Sequence, residues 1–342
     1  MTRAQTTKIP KTYEEARTFA SNTQLAYYIL SAAKLGISFK MLIPGLFAEF
    51  EKDSKRWRIH KALTPINDSV AMSLASYKNT CNRFLREQGF PVPVQEHVTT
   101  ADDIFTFIRS HKSTDIVVKP ARGFGGAGVS IRPNTEDEIR HAFNYAEEKC
   151  MSSIQPKVLV EEFIRGRHFR MVVLGDSLIA AAERMTPYVV GDGVSTIAAL
   201  VEKKNEELVE EGRPKIKLDG ESDKSLEDQN VTRDSIPEKG IRITVRFNAN
   251  MTSGGSTREC LSDIHPKYKK LAISIVQATG LRLGGIDLIT PDITDFSVKH
   301  AINEVNHNPG LRIHYMPDEG EPYDIATVIQ EYILHNINCF AI

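Results

Sequence analysis

Ile116-Val117-Val118-Lys119-Pro120-Ala121-Arg122-Gly123-Phe124-Gly125-Gly126-Ala127-Gly128-Val129-Ser130-Ile131 is the stretch on which the fold turns. Its glycines satisfy G-x-G-x-x-G, a pattern that three reaction classes and ordinary turns share, so the flanks decide. A dinucleotide fingerprint needs a helix directly after the glycines, so that the helix N-terminus meets the pyrophosphate. Here Val129-Ser130-Ile131 reads as a strand, and the helix opens later at the capping box Thr135-x-x-Glu138. The order strand, glycine loop, strand, helix argues against a nicotinamide enzyme. A glycine hairpin between two strands can instead fold its N–H groups over phosphate oxygens, because glycine permits close approach and positive φ. Gly123, Gly125, Gly126 and Gly128 are the candidates for that cradle, with Lys119 just ahead to neutralise a phosphate. A mobile turn with a surface lysine is the alternative.

Working outward, the pattern is mixed α and β. Upstream, residues 23–35 carry Leu25, Ile29 and Ala32 on one helical face before Gly36, and a helical pattern runs from Ala71 through Phe84 and Leu85 to Gly89. Residues 50–69 are polar around Trp57 and suit a hairpin or a loop, with Lys52, Lys55, Arg56 and Arg58 on a solvated face. Phe90-Pro91-Val92-Pro93-Val94 must be extended, because proline restricts its predecessor. Downstream, residues 157–164 read as a strand, and 169–174 with 177–180 as a hairpin about Gly175-Asp176. Residues 203–239 hold too few apolar side chains to form a core by themselves, so a helix end followed by an extended surface insertion is expected, with disorder as the alternative. Ile241, Ile243, Val245 and Phe247 alternate with Arg242, Thr244 and Arg246, a half-buried strand that points Arg246 away from the core. A helix over 266–279, strands at 283–289 and 301–305 and a last amphipathic helix near 323–334 complete the reading.

On the strand Asn303-Glu304-Val305-Asn306 the pleat puts Glu304 and Asn306 on one side. Asp287 lies between Ile286 and Leu288 on another strand. Three oxygen ligands without histidine or cysteine suit Mg²⁺ carried with phosphate oxygens. Buried acids are costly when uncompensated, so the alternative requires salt bridges to Arg or Lys neighbours. Lys299 and His300 read as solvated residues at the strand entry.

Composition removes several classes. With 43 basic and 44 acidic residues among 342, the net charge of −1 supplies no field for polyanions, so no nucleic-acid partner is expected. The chain is 41% hydrophobic and 25% charged, ordinary for a globular protein and too long for one small core. Cys81, Cys150, Cys260 and Cys339 are far apart, so neither a zinc site nor a disulfide framework is expected and a reducing cytoplasm fits. The polar N-terminus lacks a signal-peptide run, and no stretch reaches the length of a membrane span. The expectation is a soluble cytoplasmic protein with no membrane partner.

Taken in order, Lys78, Val118-Lys119-Pro120, the glycine hairpin, Val160-Glu161-Glu162-Phe163-Ile164, Asp287 and Glu304-Val305-Asn306 resemble the signature of the ATP-grasp superfamily. From Lys78 onward the chain is similar to the ATP-grasp portion of cyanophycin synthetase and of bifunctional glutathione synthetase. The shared strings are Val190-Gly191-Asp192-Gly193, Asn248-Ala249-Asn250-Met251-Thr252-Ser253-Gly254-Gly255 and Asn308-Pro309-Gly310-Leu311-Arg312-Ile313-His314. The resemblance implies an α/β (α+β) fold in which two subdomains, 77–160 and 161–342, clamp ATP behind a small α/β domain at 1–76. It implies Lys78 and Lys119 on the phosphates, with Glu161, Glu162 and Phe163 as the adenine hinge. Mg²⁺, or Mn²⁺ in its place, would sit on Asp287, Glu304 and Asn306.

By the same resemblance Arg246 and Asn250, with Arg170, act at the transferring phosphate. Ser253, Gly254 and Gly255, with Arg184 and Arg312, face the acid. Two departures stand out. Relatives commonly place an acid where His168 stands, to hold the ribose hydroxyls, although a neutral imidazole can still bond a hydroxyl. The long N-terminal and Mur-ligase-like domains of cyanophycin synthetase, and the glutamate–cysteine ligase domain of the bifunctional enzyme, have no counterpart, so their substrates do not transfer. The expected activity joins a carboxylate to an amine through an acyl phosphate, on amino acids or short peptides, with a homodimer left open. The rivals are a phosphotransferase with a stable product and a nucleotide-binding module without turnover.

Overall fold

The computed structural model describes residues 10–112, 115–123, 126–153, 156–247, 249 and 254–340. Gly125, Asn250 and Ser253 lie outside the described residues. The chain starts with α1 (Tyr13–Arg17) and α2 (Thr23–Lys34), the latter capped by Asn22, whose side-chain oxygen accepts from the Gln24 and Leu25 N–H groups. An antiparallel sheet follows, β1 (Ser38–Ile43), β2 (Phe47–Lys52) and β3 (Lys55–His60). The segment around Trp57 is thus a hairpin, with Trp57 opposite Phe50 and both rings fully buried. Arg56 pairs with Glu51 and Arg58 with Glu49 at the surface, so those charges form the solvated face expected of them.

The helical pattern from Ala71 to Gly89 is two helices, α3 (Ser69–Ser76) and α4 (Lys78–Glu87), where one run was expected. Tyr77, at φ −92° and ψ 80°, leaves the helical region and breaks them. The break places Lys78 at the first turn of α4.

The next unit is β4 (Gln95–Val98), α5 (Ala101–His111), β5 (Ile116–Pro120), β6 (Ser130–Ile131), α6 (Glu136–Lys149) and β7 (Val158–Glu162). The strands form an antiparallel sheet in the order β4-β7-β5-β6, and Ile104, Phe107, Ile139 and Phe143 of the two helices pack on Val118 and Val160. The chain then enters a second sheet with β8 (Arg167–Leu174) and β9 (Ser177–Met185), so the crossing falls at 163–166, a few residues past the border expected at 160.

A ribbon of β10 (Tyr188–Val190) and β11 (Arg242–Thr244) carries α7 (Ile197–Glu210) and α8 (Gly220–Glu227) between its strands. The expected helix end is the last part of α7, and the insertion expected to lie extended beyond it is folded. Leu208, Ile216 and Leu226 supply a third of a small core whose remainder, Val189, Ile197, Leu200, Val201, Ile243 and Val245, comes from the flanks. The segment is apolar-poor by itself, and this shared burial is what orders it.

The chain closes with β12 (Ser256–Glu259), α9 (Pro266–Ala278), β13 (Leu283–Thr290), β14 (Ala301–Asn306), α10 (Arg312–Tyr315) and α11 (Ile325–Asn336). The large sheet has the order β12-β9-β8-β13-β14, and β13 is buried along its whole length. One face of that sheet packs on α9 through Phe169, Met171, Ile286 and Leu288. Leu283, Val172 and Ala180 join a core with α2, the hairpin and α11, so the N-terminal segment shares its interior with the C-terminal helix. No helix of the described residues is long and apolar enough to cross a membrane.

The joint between the two chain ends is polar at its centre. The Trp57 indole N–H donates to Gln330 Oε1 at 2.8 Å, and Gln330 Nε2 donates to the Tyr28 carbonyl at 3.2 Å, with all three side chains buried. Gln330→Ala leaves the buried Trp57 donor unpaired beside a cavity, while the Tyr28 carbonyl keeps the Ser31 hydroxyl, so a loss of about 2–4 kcal/mol is expected in urea denaturation. Trp57 is the one tryptophan of the sequence, so its fluorescence follows this joint directly.

Candidate functional site

The site lies where the two large sheets meet. On β8 and β13 alternate residues face the cleft, and the register sets Asp287 opposite Arg170 on one side and opposite Glu304 on the other. His168 faces Arg184 across the β8–β9 pairing. A shift of register between Asp287 and Leu288 marks a bulge beside Asn303, the kind of irregularity that re-aims side chains at a site.

A cavity of about 250 Å³ joins the sheets. Lys78, Lys119, Gly123, Gly126, Glu161, Glu162, Phe163, His168, Arg184, Asp287 and Glu304 all border it. Residues separated by up to about two hundred positions thus meet in one space. Lys119 Nζ lies 2.6 Å from Glu161 Oε2, Lys78 Nζ 3.1 Å from Glu304 Oε1, and the exposed Lys299 Nζ 2.7 Å from Glu162 Oε1.

Asp287 is held on three sides. The Arg170 guanidinium donates to both its oxygens, through Nε to Oδ1 and through Nη2 to Oδ2 at 3.0 Å, and Arg184 Nη1 stands 3.4 Å from Oδ2. Burial opposes ionisation of Asp287, but the charges of Arg170 and Arg184 outweigh it and hold the carboxyl below its ordinary range. The salt bridges that the alternative to metal ligation demanded are therefore present. Asn306, with its amide turned to suit both neighbours, donates to Glu304 Oε1 at 3.1 Å and accepts from Arg170 Nη2 at 3.3 Å.

Among the described residues no group of three or more His, Cys, Asp or Glu is arranged to hold a metal ion. The donor set still fits a hard cation completed by phosphate oxygens. Two carboxylates and an amide oxygen lie on adjacent strands, and an ionised carboxylate keeps a second lone pair on each oxygen after Arg170 has used one.

The chain matches known proteins over these same residues. The family described as phosphoribosylglycinamide synthetase, ATP-grasp (A) domain, matches residues 76–186. Cyanophycin synthetase of Trichormus variabilis is 30% identical over 315 residues, covering 90% of this chain and 34% of that protein. Glutathione biosynthesis bifunctional protein GshAB of Clostridium perfringens is 30% identical over 303 residues, covering 86% of this chain and 38% of that protein. The crystal structure of a bifunctional glutathione synthetase from Pasteurella multocida superposes with a TM-score of 0.64 at 24% identity, over 94% of this chain and 46% of that one. The chain has the ATP-grasp fold. It spans between about a third and a half of the length of these relatives.

Not every residue expected in the ATP-grasp site reaches the cavity. Gly128 does not line it: at φ +78°, a Cβ there would stand 2.6 Å from Pro120 Cγ and 2.8 Å from Lys149 Cβ. It is a glycine for close packing beneath the loop. Arg170 lies below the cavity floor and acts on it through Asp287. Arg246, expected to point away from the core and toward a phosphate, is buried. Its Nη1 lies 2.8 Å from Asp219 Oδ1 and its Nη2 pairs with Glu221, because the N-terminus of α8 folds onto it. It borders a second cavity, of about 740 Å³, which meets the first at Gly126, Val129 and Ile131. Arg312 is exposed on α10, and Gly254 and Gly255 lie at the entry to β12, outside the first cavity.

Phe247 was missed as a site residue. The alternating pattern marked it as one more buried strand position, yet its ring stands 5.8 Å from that of Phe163 at 69°, and both line the first cavity. An edge-to-face pair of this kind makes an apolar corner against which a heterocycle can pack.

Two histidines beneath the site are uncharged at neutral pH. Burial, the larger cause, pushes His168 down to about 4, and it pushes His314, which the charges of Arg170 and Arg184 depress further, down to about 3. Below its ordinary value of 6.5 the unfolded His314 binds a proton that the folded one refuses, so stability falls as pH drops from 6.5 toward 3. Between pH 6 and 5, His314→Leu should show a stability slope shallower by about 1.4 kcal/mol per pH unit than the unaltered protein. Urea denaturation at a series of pH values reads that difference.

Proposed function

We propose that this chain is an ATP-dependent ligase that activates a carboxylate as an acyl phosphate and joins it to an amine, acting on amino acids or short peptides. The observation that carries the reading is the one cavity bordered in common by the glycine loop, the Glu161–Phe163 hinge and the carboxylates of β13 and β14. Each part answers to one part of the nucleotide. The backbone beside Phe163 offers the donor and acceptor that read an adenine edge, with Phe163 and Phe247 as the apolar wall. Lys78 and Lys119 compensate phosphate charge, and Gly123 and Gly126 let backbone N–H groups approach the phosphate oxygens. His168, neutral in its buried place, is left to bond a ribose hydroxyl.

Asp287, Glu304 and Asn306 are the residues that would hold Mg²⁺, whose charge offsets that of the phosphates during transfer. In the proposed reaction a carboxylate oxygen attacks the γ-phosphorus, and the bond from that phosphorus to the bridging β–γ oxygen breaks to release ADP. The amine nitrogen then attacks the acyl carbon, the carbon–oxygen bond to phosphate breaks, and the nitrogen gives up a proton. Phosphate leaves with one oxygen of the original carboxylate. Arg170 and Arg184 keep Asp287 ionised and fixed throughout. Asn250 and Ser253 keep the roles that the resemblance gives them, and the proposed setting is the cytoplasm.

The two carboxylates should respond differently to neutralisation. Glu304 is partly exposed and pairs with the accessible Lys78, so Glu304→Gln should fold normally and lose at least about 100-fold in ADP release. Asp287→Asn strips a buried guanidinium of its counter-charge and should also lose about 3–5 kcal/mol of stability. Melting curves with an ADP-release assay over acid and amine pairs separate the two effects. With a working pair, an acid labelled with oxygen-18 in its carboxylate should place one label in inorganic phosphate and none in AMP. Label in AMP, or ADP release indifferent to the amine, contradicts the ligase.

A further inference from the structure

The insert that carries α7 and α8 touches the candidate site at two points, and neither contact is explained by the insert's own core. At the first, Glu221 Oε1 accepts from the Phe247 N–H at 3.0 Å, while its Oε2 pairs with Arg246. The Lys217 carbonyl accepts from Arg246 Nη1 at 2.9 Å, so the guanidinium is enclosed by the α8 entry. Phe247 is the ring that faces Phe163 in the cleft.

At the second point, Arg213 bridges Gly255 and Asp318 with its fork, while its Nη1 also pairs with the exposed Glu211 at 3.0 Å. Nη2 donates to the Gly255 carbonyl at 2.7 Å and Nη1 to Asp318 Oδ1 at 2.6 Å. Asp318 Oδ2 in turn accepts from the N–H of the fully buried Thr257 at 2.7 Å. Ile216 lies so close over Gly254 that a Cβ there would stand 2.7 Å from its Cγ1. With φ at +85°, Gly254 is also in a conformation that glycine alone adopts freely.

We propose that Arg213 and Glu221 are positioning residues supplied by one insert: from the α7–α8 connection Arg213 sets Gly255 and so decides which acids the site accepts, while from the first turn of α8 Glu221 sets Phe247 in the nucleotide wall. The inference rests on the ligase reading given above and deepens it. Arg213 is suited to the task because its planar fork spans a carbonyl and a carboxylate together, whereas a lysine ammonium is a single point of charge. Its side chain is largely buried, so the contact is shielded from water and salt. The pairing of Arg246 with Asp219 and Glu221 gives the Glu221 contact the same character.

The test uses the full chain and the variants Arg213→Ala, Arg213→Lys and Glu221→Gln. Amide hydrogen exchange should quicken at Thr257 in Arg213→Ala and at Phe247 in Glu221→Gln, with melting retained in both and ATP-analogue binding retained in Arg213→Ala. With an acid and amine pair that turns over, KM for the acid should rise at least about tenfold in Arg213→Ala while KM for ATP holds. Arg213→Lys should recover part of that loss. Unchanged exchange in the folded variants overturns the inference, and so does an acid KM that stays level. Failure of the ligase reading looks different, since the unaltered protein would then release no ADP in response to any acid.

Discussion

The pairing of Asp287 with Arg170 is the interaction around which the site is built. A carboxylate inside a fully buried strand is expensive to dehydrate, and a guanidinium from the neighbouring strand offsets that cost with two aligned hydrogen bonds. Because the two residues face one another across β8 and β13, sliding either strand by one position would turn one of them into the apolar layer under α9. The ion pair and the hydrophobic face therefore enforce the same register. That register also sets Glu304 beside Asp287, and through Glu304 the position of Lys78.

The same economy governs the rest of the cleft. Lys119 on β5 and Glu161 on β7 are paired in the four-stranded sheet, so each large sheet presents a charged pair to the cavity between them. These pairs hold the acids and the bases in place. A bound polyphosphate would compete for the cations, and a divalent ion for the carboxylates, which is an exchange of partners with no new burial of charge. Arg246 stands outside this exchange, held by Asp219 and Glu221 at the edge of the adjoining cavity.

Much of this could be read from the residues in order. The flanks of the glycine loop excluded a dinucleotide turn, and β5, β6 and α6 stand where those flanks required. The alternation around Asp287, Glu304 and Asn306 placed their oxygens on one side of their strands, and the structure brings the three together. Other features had no local signal. Tyr77 divides a helical pattern that hydrophobic spacing carries straight through, because a single backbone excursion leaves the spacing almost unchanged. The 203–239 segment looked unable to fold because most of the core that orders it lies in its flanks. Phe247 was recognised as buried, but burial in a core and burial against a cleft have the same pattern.

What the sequence determined by itself was the order of the elements and the face on which each polar residue stands, because helical and strand periods are local properties of the chain. From that order came the ATP-grasp resemblance, and with it the expectation that Lys78, Lys119, Glu161 and Asp287 meet. Only the tertiary structure decided who pairs with whom. Arg170 and Asp287 are 117 positions apart, and Arg213 and Gly255 are 42 apart. Nothing in the local period of either partner names the other. Strand order, register and the docking of the insert set those distances, and they are products of burial summed over the whole fold.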